Sequence, residues 1–503
     1  MTDAFLGIDI GTRSTKGVVL IDGSVVGEAH VGHDVSNPVP QQFEHDAESI
    51  WWGGVVAVTR LVLAALPKDV RIVAVGLSAC GPCVVPVDEA GRPLRPAILY
   101  GVDTRSTREV AALQDGIGRD VVQARFGMPL TSQTVGPKID WIVANEPDVY
   151  ERTRAFASTN GFVGLRLTGV LGLDRHQAAY WAPYFRDGGW DASYDTADVV
   201  KKLPELFWST DVVGHVTAPA AEQTGLPRGI PVVIGSSDGM TSAYGTGTSE
   251  ASQAVLNYGS TLGATVFTGR STATGGVWRT PGAVAGQDCL VAGMSTGGAL
   301  AKWFLEQFAR ELLQAGDSSS AFLQLAAEAE SSPAGARGLL LLPYFAGERT
   351  PFYDPGAAGV VLGLRLDHTR GDHYRALLEG TAFGVRHILD EMARMEADVE
   401  SLRATGGGTA TALWLQIVSN VTGLSQEVVA PPYGSASGAA FLAAIGAGPL
   451  DGLADIAARV PVCRVVRPDA QVSKTYQRLF ATYLALYTQT RDLLTELGAE
   501  PRP

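Results

Sequence analysis

The chain has 503 residues, 46% of them hydrophobic and 18% charged, with a formal net charge of -13. That length exceeds what a single hydrophobic core organises, and the composition is that of a soluble globular protein, neither disordered nor coiled-coil. With 39 basic against 52 acidic residues and no basic run, nucleic acid is excluded as an expected partner. The opening Met-Thr-Asp-Ala-Phe lacks a cationic, apolar leader. No apolar run is read as reaching the roughly 18 residues of a membrane span. Four cysteines are too few for a disulfide framework. A reducing cytoplasm is therefore expected, with no membrane partner. The 59 glycines are the outlier, and packed chains often use glycine where backbone must approach closely, as at a phosphate.

In chain order, Phe5–Ile10, Lys16–Ile21 and Val25–His33 read as three short strands in an antiparallel meander. Asp46 reads as the N-cap of a helix through Leu66, stopped by Pro67. Ile72–Ser78 and Val84–Val87 are expected strands, and Pro231–Ile234 is another, running into Gly-Ser-Ser-Asp-Gly. Gln253–Tyr258 begins a second strand, glycine turn, strand unit. Ile-Asp-Ile-Gly-Thr (8–12) and Leu-Asn-Tyr-Gly-Ser-Thr (256–261) each set glycine and a hydroxyl between β runs. This faint repeat suggests two related α/β halves with a boundary near residue 248. Further on, a helix over about 370–395 carries a core stripe of Tyr374, Leu378, Thr381, Val385, Ile388 and Met392. Tyr476, Phe480, Tyr483 and Tyr487 form a second stripe, read as a docking face.

Asp9-Ile-Gly-Thr-Arg-Ser-Thr-Lys16 places a carboxylate at a strand end beside a turn that can present N–H groups, the hydroxyls of Thr12 and Ser14, and the Lys16 cation. A carboxylate next to a bound phosphate calls for a divalent cation between them, and Mg²⁺ held through water is the natural choice. A plain hairpin with a polar turn is the alternative. Neither a P-loop nor a Rossmann fingerprint is present. Cys80-Gly-Pro-Cys83 has thioredoxin-like spacing, but the strand Val84–Val87 and Pro86 leave no room for the helix such chemistry needs. Asp238 follows an apolar strand and opens a helix, whose positive end favours its ionised form. It can serve as a general base or as a simple N-cap. Thr405-Gly-Gly-Gly408-Thr-Ala-Thr411, between the strand Leu402–Thr405 and the helix Ala412–Thr422, can hold an anion or nucleotide, or be a flexible loop. Gly434–Gly438 is a weaker helix start of the same kind. The eight histidines give no metal spacing, and no nucleophile elbow is present.

The order of these motifs resembles the FGGY carbohydrate kinases over roughly residues 4–446. Asp9-x-Gly-Thr-x-Ser-x-Lys16 is similar to their first phosphate loop. Phe43-Glu-His-Asp-Ala-Glu-Ser-Ile-Trp-Trp52 looks like their E-x-D-P-E-x-W-W segment. Gly91-Arg-Pro-Leu-Arg-Pro-Ala-Ile-Leu-Tyr-Gly-Val-Asp-Thr-Arg105 is similar to their G-x-P-L-R-P-A-I-L-W-x-D-x-R. Gly347-Glu-Arg-Thr-Pro351, Gly359–Leu364 and Asp372–Glu379 resemble their second-domain signature, and Thr405–Thr411 with the following Leu-Trp-Leu-Gln their adenosine segment.

The resemblance implies two ribonuclease-H-like domains of the actin and sugar-kinase superfamily flanking a deep cleft. Residues 1–247 would bind sugar and carry the base; residues 248–503 would bind ATP. It implies transfer of the ATP γ-phosphoryl to a sugar hydroxyl, with Asp238 as catalytic base and Asp9 organising Mg²⁺. Gly11, Thr12 and Lys16, with Gly259 and Ser260, would meet the phosphates, and Gly298, Gly407 and Thr411 would pack the nucleotide.

Where xylulokinase-like members carry G-Q-M-H-G and glycerol kinases N-Q-R-E-T, this chain reads Ala79-Cys-Gly-Pro-Cys83. Gly81 and Pro82 thus replace the polar pair that touches substrate, and no Arg-Glu pair supports glycerol. Asp103, Arg105 and His176 are the remaining candidates to read hydroxyls, although Asp103 and Arg105 can equally be a structural pair. The extra residue in Tyr-Gly-Val-Asp-Thr-Arg also changes the pocket floor. A ketopentose such as xylulose is the leading substrate, with other ketoses, polyols and sugar acids as alternatives. A chaperone-like ATPase, a thiol oxidoreductase using Cys80 and Cys83, and a non-catalytic sugar sensor are the competing classes. A homodimer remains an open assembly state.

Overall fold

The structure, a computed structural model, describes residues 1–186, 188–248, 250–269, 274–315, 317–429 and 434–498. It divides into two compact units. One comprises Met1–Ser249, Arg279–Cys289 and Pro431–Val460, and the other Glu250–Trp278, Leu290–Ala430 and Pro461–Pro503.

The first unit is built on a six-stranded sheet. Its strands are β1 (Thr2–Ile10), β2 (Ser14–Ile21), β3 (Ser24–Gly32), β4 (Val70–Ala79), β5 (Val212–His215) and β6 (Pro231–Ser237). Their spatial order is β5-β6-β4-β1-β2-β3. The expected meander is present: β1 pairs antiparallel with β2 in the register Asp9↔Lys16, and β2 with β3 in the register Lys16↔His30. β4 and β6 then join in parallel, with Asp9↔Ser78 and Ser236↔Ser78. β4 is nearly continuously apolar and buried toward its carboxyl end, as a central parallel strand requires. β3 alternates between half-buried and exposed residues, which suits an edge.

Asp46 caps the following helical run, its carboxylate accepting from the Ser49 N–H at 2.7 Å. The run opens as a π turn over Ala47–Trp52 and continues as an α-helix over Gly53–Ala65. By length and composition Ala47–Ala65 could cross a membrane, which corrects the reading that no stretch is long enough. In the structure Trp51, Val55, Val58 and Val62 of this run are buried in the core of the unit. The apolar face is spent on packing against the sheet.

The sequence boundary at 247/248 describes only the first stretch of this unit. The helix Ser435–Gly446 lies almost two hundred residues later, yet it packs on β1 and β4. Two glycines make that approach possible. A Cβ on Gly7 would lie 1.8 Å from the Ala436 carbonyl oxygen, and one on Gly76 would lie 1.9 Å from that of Ala439. Backbone therefore meets backbone, and no other residue type fits.

The second unit repeats the motif. β7 (Gln253–Tyr258) and β8 (Leu262–Gly269) form an antiparallel hairpin, and β9 (Ser401–Thr405) adds in parallel with Asn257↔Thr405. β10 (Ser425–Val429) and β11 (Val462–Val466) continue the sheet, giving the order β8-β7-β9-β10-β11. A glycine-turn hairpin followed by a parallel strand is thus common to both units, and the faint sequence repeat has this counterpart. The helix Arg370–Arg394 starts with a capping box between Thr369 and Asp372. The C-terminal helix Ala470–Gly498 lays Tyr476, Phe480 and Tyr483 into the core beside Phe383, so the second aromatic stripe is a docking face.

Candidate active site

In the first unit the carboxyl ends of β1, β4 and β6 bring three groups to one level. Asp9 is the penultimate residue of β1, Ser78 lies beside it on β4, and Asp238 follows the last residue of β6. Ligand sites in parallel sheets gather at this end because strand termini and helix N-termini meet there. Ser78 Oγ donates to Asp9 Oδ1 at 2.8 Å and lies 2.7 Å from Thr241 Oγ1. Thr241 belongs to the helix Asp238–Gly245, so this chain of hydrogen bonds ties the Asp238 helix to Asp9. Ser435 Oγ, from the helix seated on Gly7 and Gly76, donates to the Asp238 carbonyl at 3.0 Å.

Asp238 is the first helical residue and not the cap, which is Ser237. Its carboxylate accepts from the Gly239 N–H at 2.7 Å. Enclosure by protein, with the Asp9 charge nearby, pushes the Asp238 carboxyl up to about 7. Asp9 is also raised, chiefly by burial, with Ser78 and Lys16 working in the opposite direction. Two carboxyls sharing one site resist joint ionisation. One of them therefore holds a proton affinity matched to neutral pH, where a general base works best.

Gly11 and Thr12 form the turn beyond Asp9, closed by the Gly11 N–H on the Ser14 carbonyl at 2.9 Å. Lys16 is exposed on β2, opposite Asp9. The turn 80–83 lies against this one, with the Cys80 N–H on the Ile10 carbonyl at 2.7 Å. Gly81 is half-buried, Pro82 is buried, and the peptide joining them is cis. Both cysteines are buried, and they end in the strand Val85–Val87 with no helix. Hydrogen bonding to Cys83, together with burial, drives the Cys80 thiol well up. Cys83 ends below its ordinary value despite burial, because Cys80 and the buried Lys138 ammonium favour its thiolate. Burial brings Lys138 down to about 8, and its Nζ donates to the Leu99 carbonyl at 2.6 Å.

Several residues here escaped sequence reading. The Tyr100 hydroxyl lies 2.9 Å from Thr12 Oγ1, and burial with nearby negative groups raises its phenol to about 12. Tyr100 lies in the Gly91–Arg105 segment, but only the fold brings it 88 positions across to the Gly11–Thr12 turn. Gln177 is buried under Gly81, where a Cβ would meet its Oε1 at 2.6 Å. That oxygen has no hydrogen-bond partner among the described residues.

Asp103 and Arg105 pair with each other in a buried cluster. Asp103 accepts from the Phe43 N–H at 2.7 Å and from Arg105 Nη2 at 2.7 Å, and Arg105 reaches Glu44 at 2.9 Å. The Asp103 N–H donates to the Tyr100 carbonyl, so the cluster braces the Tyr100 turn. His176 lies on the short helix Arg175–Ala179, with Nδ1 at 3.0 Å from Thr280 Oγ1, and burial lowers it to about 4. It is neutral at pH 7.

In the second unit the turn after β7 meets the helix Gly298–Phe308. The N–H groups of Gly298 and Ala299 donate to the Gly259 and Ser260 carbonyls at 2.9 Å each. The turn after β9 packs alongside, since a Cβ on Gly406 would lie 2.8 Å from the Tyr258 carbonyl oxygen. Gly407 faces open space, and Thr411 caps the helix Ala412–Thr422 after a short 3-10 turn, without a side-chain hydrogen bond. Gly259, Ser260, Gly298, Gly407 and Thr411 thus ring the carboxyl ends of two parallel strands. Glu348 was not singled out by sequence. It is buried and raised to about 7 by that burial, and it accepts from the Ser295 N–H at 2.8 Å, just ahead of this helix.

A duplicated hairpin-plus-parallel-strand fold, with a raised carboxyl at one strand end and glycine turns at another, is compatible with a small-molecule phosphotransferase, and the class is fixed by the relatives. Residues 4–245 match the N-terminal domain and residues 254–447 the C-terminal domain of the FGGY family of carbohydrate kinases, and the chain belongs to that family. It is a kinase that phosphorylates a sugar hydroxyl from ATP. It is similar to the xylulose kinase of Rhodospirillum rubrum, with 31% identity, a TM-score of 0.89, and coverage of 98% of this chain and 99% of the other. It is 27% identical to a xylulose kinase of Escherichia coli (strain K12), over 97% of this chain and 100% of that protein. It is 25% identical to a gluconokinase of Bacillus subtilis (strain 168), over 98% of each.

Proposed function

We propose that the acceptor is a ketopentose, with xylulose the first candidate, and that Asp238 takes the proton from the hydroxyl being phosphorylated. The observation carrying the assignment is the Asp9–Ser78–Thr241 chain. It fixes two carboxylates at one sheet end, where burial and the Asp9 charge raise the Asp238 carboxyl to about 7. General-base help of this kind contributes about 10²–10⁴-fold. Positioning and charge stabilisation supply the rest, since phosphoryl transfer needs little covalent assistance.

Gly11, Thr12 and Lys16 in the first unit meet the transferring phosphoryl group, with Tyr100 orienting Thr12. Gly259, Ser260, Gly298, Gly407 and Thr411 in the second unit hold the nucleotide, where glycine turns let a ligand approach the backbone closely. Mg²⁺ fits the donor set in one way. Among the described residues no group of three or more His, Cys, Asp or Glu side chains converges. Mg²⁺ characteristically uses one or two carboxylates and completes its shell with water and substrate phosphates. Asp9 is the residue to hold it, and the ion would neutralise charge on the phosphates. Gly81 and Pro82 form the wall of the sugar pocket, Asp103 and Arg105 support its floor, and His176 borders it through Gln177.

The relatives include a gluconokinase, and the turn 79–83 lacks a polar pair, so a sugar acid is the second reading. ADP release measured against xylulose, other ketoses, gluconate and glycerol decides between them. The ketopentose reading expects the highest kcat/KM with xylulose. A gluconate preference, or no stimulation by any ketose, overturns it.

A further inference from the structure

Behind Gly81 lies a buried polar cluster in which both amide side chains have one possible orientation. Asn160 Nδ2 donates to the Ile234 carbonyl at 3.1 Å and to the Ser236 carbonyl at 3.0 Å. That leaves its Oδ1 to accept from Gln177 Nε2 at 3.1 Å. The same Nε2 donates to Asp174 Oδ2 at 2.7 Å. Reversed, the Gln177 amide would set its oxygen against two acceptors, so the nitrogen faces Asp174 and Asn160 and Oε1 is left over. Asp174 is held in turn, its Oδ1 accepting from Ser236 Oγ at 2.7 Å and from the Gln177 N–H at 3.1 Å.

Gln177 Oε1 stands in the space that a side chain at position 81 would take. A Cβ there would lie 2.6 Å from it, about 0.8 Å short of an ordinary 3.4 Å contact. The oxygen has no hydrogen-bond partner among the described residues, and buried acceptors are seldom left so without a use. It has little freedom to yield, because its nitrogen is gripped on two sides. The cluster also joins the sugar wall to the base. Ser236 stands two residues before Asp238, on β6. Thr159, next to Asn160, donates to the Cys80 carbonyl at 3.2 Å. The turn 80–82 and the strand that delivers Asp238 are therefore fixed to the same few side chains.

We propose that Gln177 is a positioning residue for the sugar: its carboxamide oxygen is the stop against which Gly81 rests, and it sets how far the sugar wall stands from Asp238. This rests on Gly81 and Pro82 walling the acceptor site, as proposed above. Gln177 does not touch the sugar, since protein encloses its side chain. It acts through the place of the wall, and a shift of about 1 Å in a bound reactant can cost about 10²-fold in rate.

The test is steady-state kinetics of the full chain with the acceptor that wild type prefers, varied at saturating ATP, and with ATP varied at saturating acceptor. Gly81→Ala is expected to lower the acceptor kcat/KM at least about tenfold and to leave the KM for ATP within about twofold. Gln177→Ala, which withdraws the stop, is expected to lower the acceptor kcat/KM about tenfold, again with little effect on ATP. The double variant Gly81→Ala/Gln177→Ala should be no worse than the poorer single variant, because the methyl group then meets no oxygen; independent effects would multiply to about a hundredfold. Should Gln177→Ala fail to fold by circular dichroism, Gln177→Asn takes its place in the cycle. A multiplicative double variant overturns the proposal, and so does a KM for ATP that moves together with the acceptor kcat/KM. Pro82→Ala separates the proposal from the reading beneath it. If Pro82→Ala alters the acceptor kcat/KM and Gly81→Ala does not, the wall stands and the role of Gln177 falls. If neither alters it, the wall lies elsewhere and both fall.

Discussion

Replacing Asp238 with Asn should separate stability from catalysis, and pH sets the size of the separation. The Asp238 carboxyl lies at about 7 in the folded protein against an ordinary 3.8. The difference, at about 1.4 kcal/mol per unit, comes to about 4 kcal/mol. The sign follows from proton linkage. Below pH 4 the acid is protonated in both folded and unfolded chains. As pH rises through 4 to 7 the unfolded chain ionises first, and stability falls by up to that amount. Above pH 7 the folded protein carries an enclosed charge beside Asp9. Asparagine has no such charge, so the variant's advantage should grow between pH 4 and 7 and stay level above. Urea titration of both proteins at pH 5, 6, 7 and 8 reads this directly, because all other groups are common to the pair. In the same series, wild-type kcat/KM should fall about tenfold per pH unit below 7, as the base is protonated. The Asn variant should turn over at background while still binding ATP. Parallel stability profiles for the two proteins, or a wild-type rate that is flat from pH 5 to 8, would refute the reasoning.

Other expectations follow from the same geometry. Asp9→Asn removes the like charge beside Asp238, so the acid limb of the rate profile should move to lower pH while the apparent Mg²⁺ requirement rises at least about tenfold; an unmoved limb and an unchanged Mg²⁺ titration count against it. Gly7→Ala places a methyl group 1.8 Å from the Ala436 carbonyl oxygen and should destabilise the protein by about 3 kcal/mol or more, seen as a lower urea midpoint. Tyr100→Phe deletes the hydroxyl beside Thr12 and should lower kcat about fivefold, corresponding to about 1 kcal/mol, with the fold unchanged by circular dichroism. A wild-type kcat in that variant would remove Tyr100 from the site.

Much of this protein is written in local pattern. Alternation and turn chemistry placed the N-terminal meander, the Asp46-capped helix and the strand before Asp238, because each depends on neighbours a few residues apart. The strand ends that present Asp9 and Asp238 are legible for the same reason. The spacing of motifs along the chain was sufficient for the family, and the hairpin common to both halves was visible as a faint repeat.

Tertiary structure decided what depends on distant residues meeting. Nothing local says that the helix Ser435–Gly446 belongs with β1, since the glycines that admit it are at positions 7 and 76. The coupling of Asp9 to Asp238 runs through Ser78 and Thr241, hydroxyls that look ordinary in sequence. Asp103 and Arg105 read as sugar ligands or as a pair, and only the fold brings Phe43 and Glu44 to bind them. Proton affinity has the same origin. An aspartate has one intrinsic value wherever it stands in a sequence, and it reaches about 7 at position 238 because folding removes water and places a second carboxylate nearby.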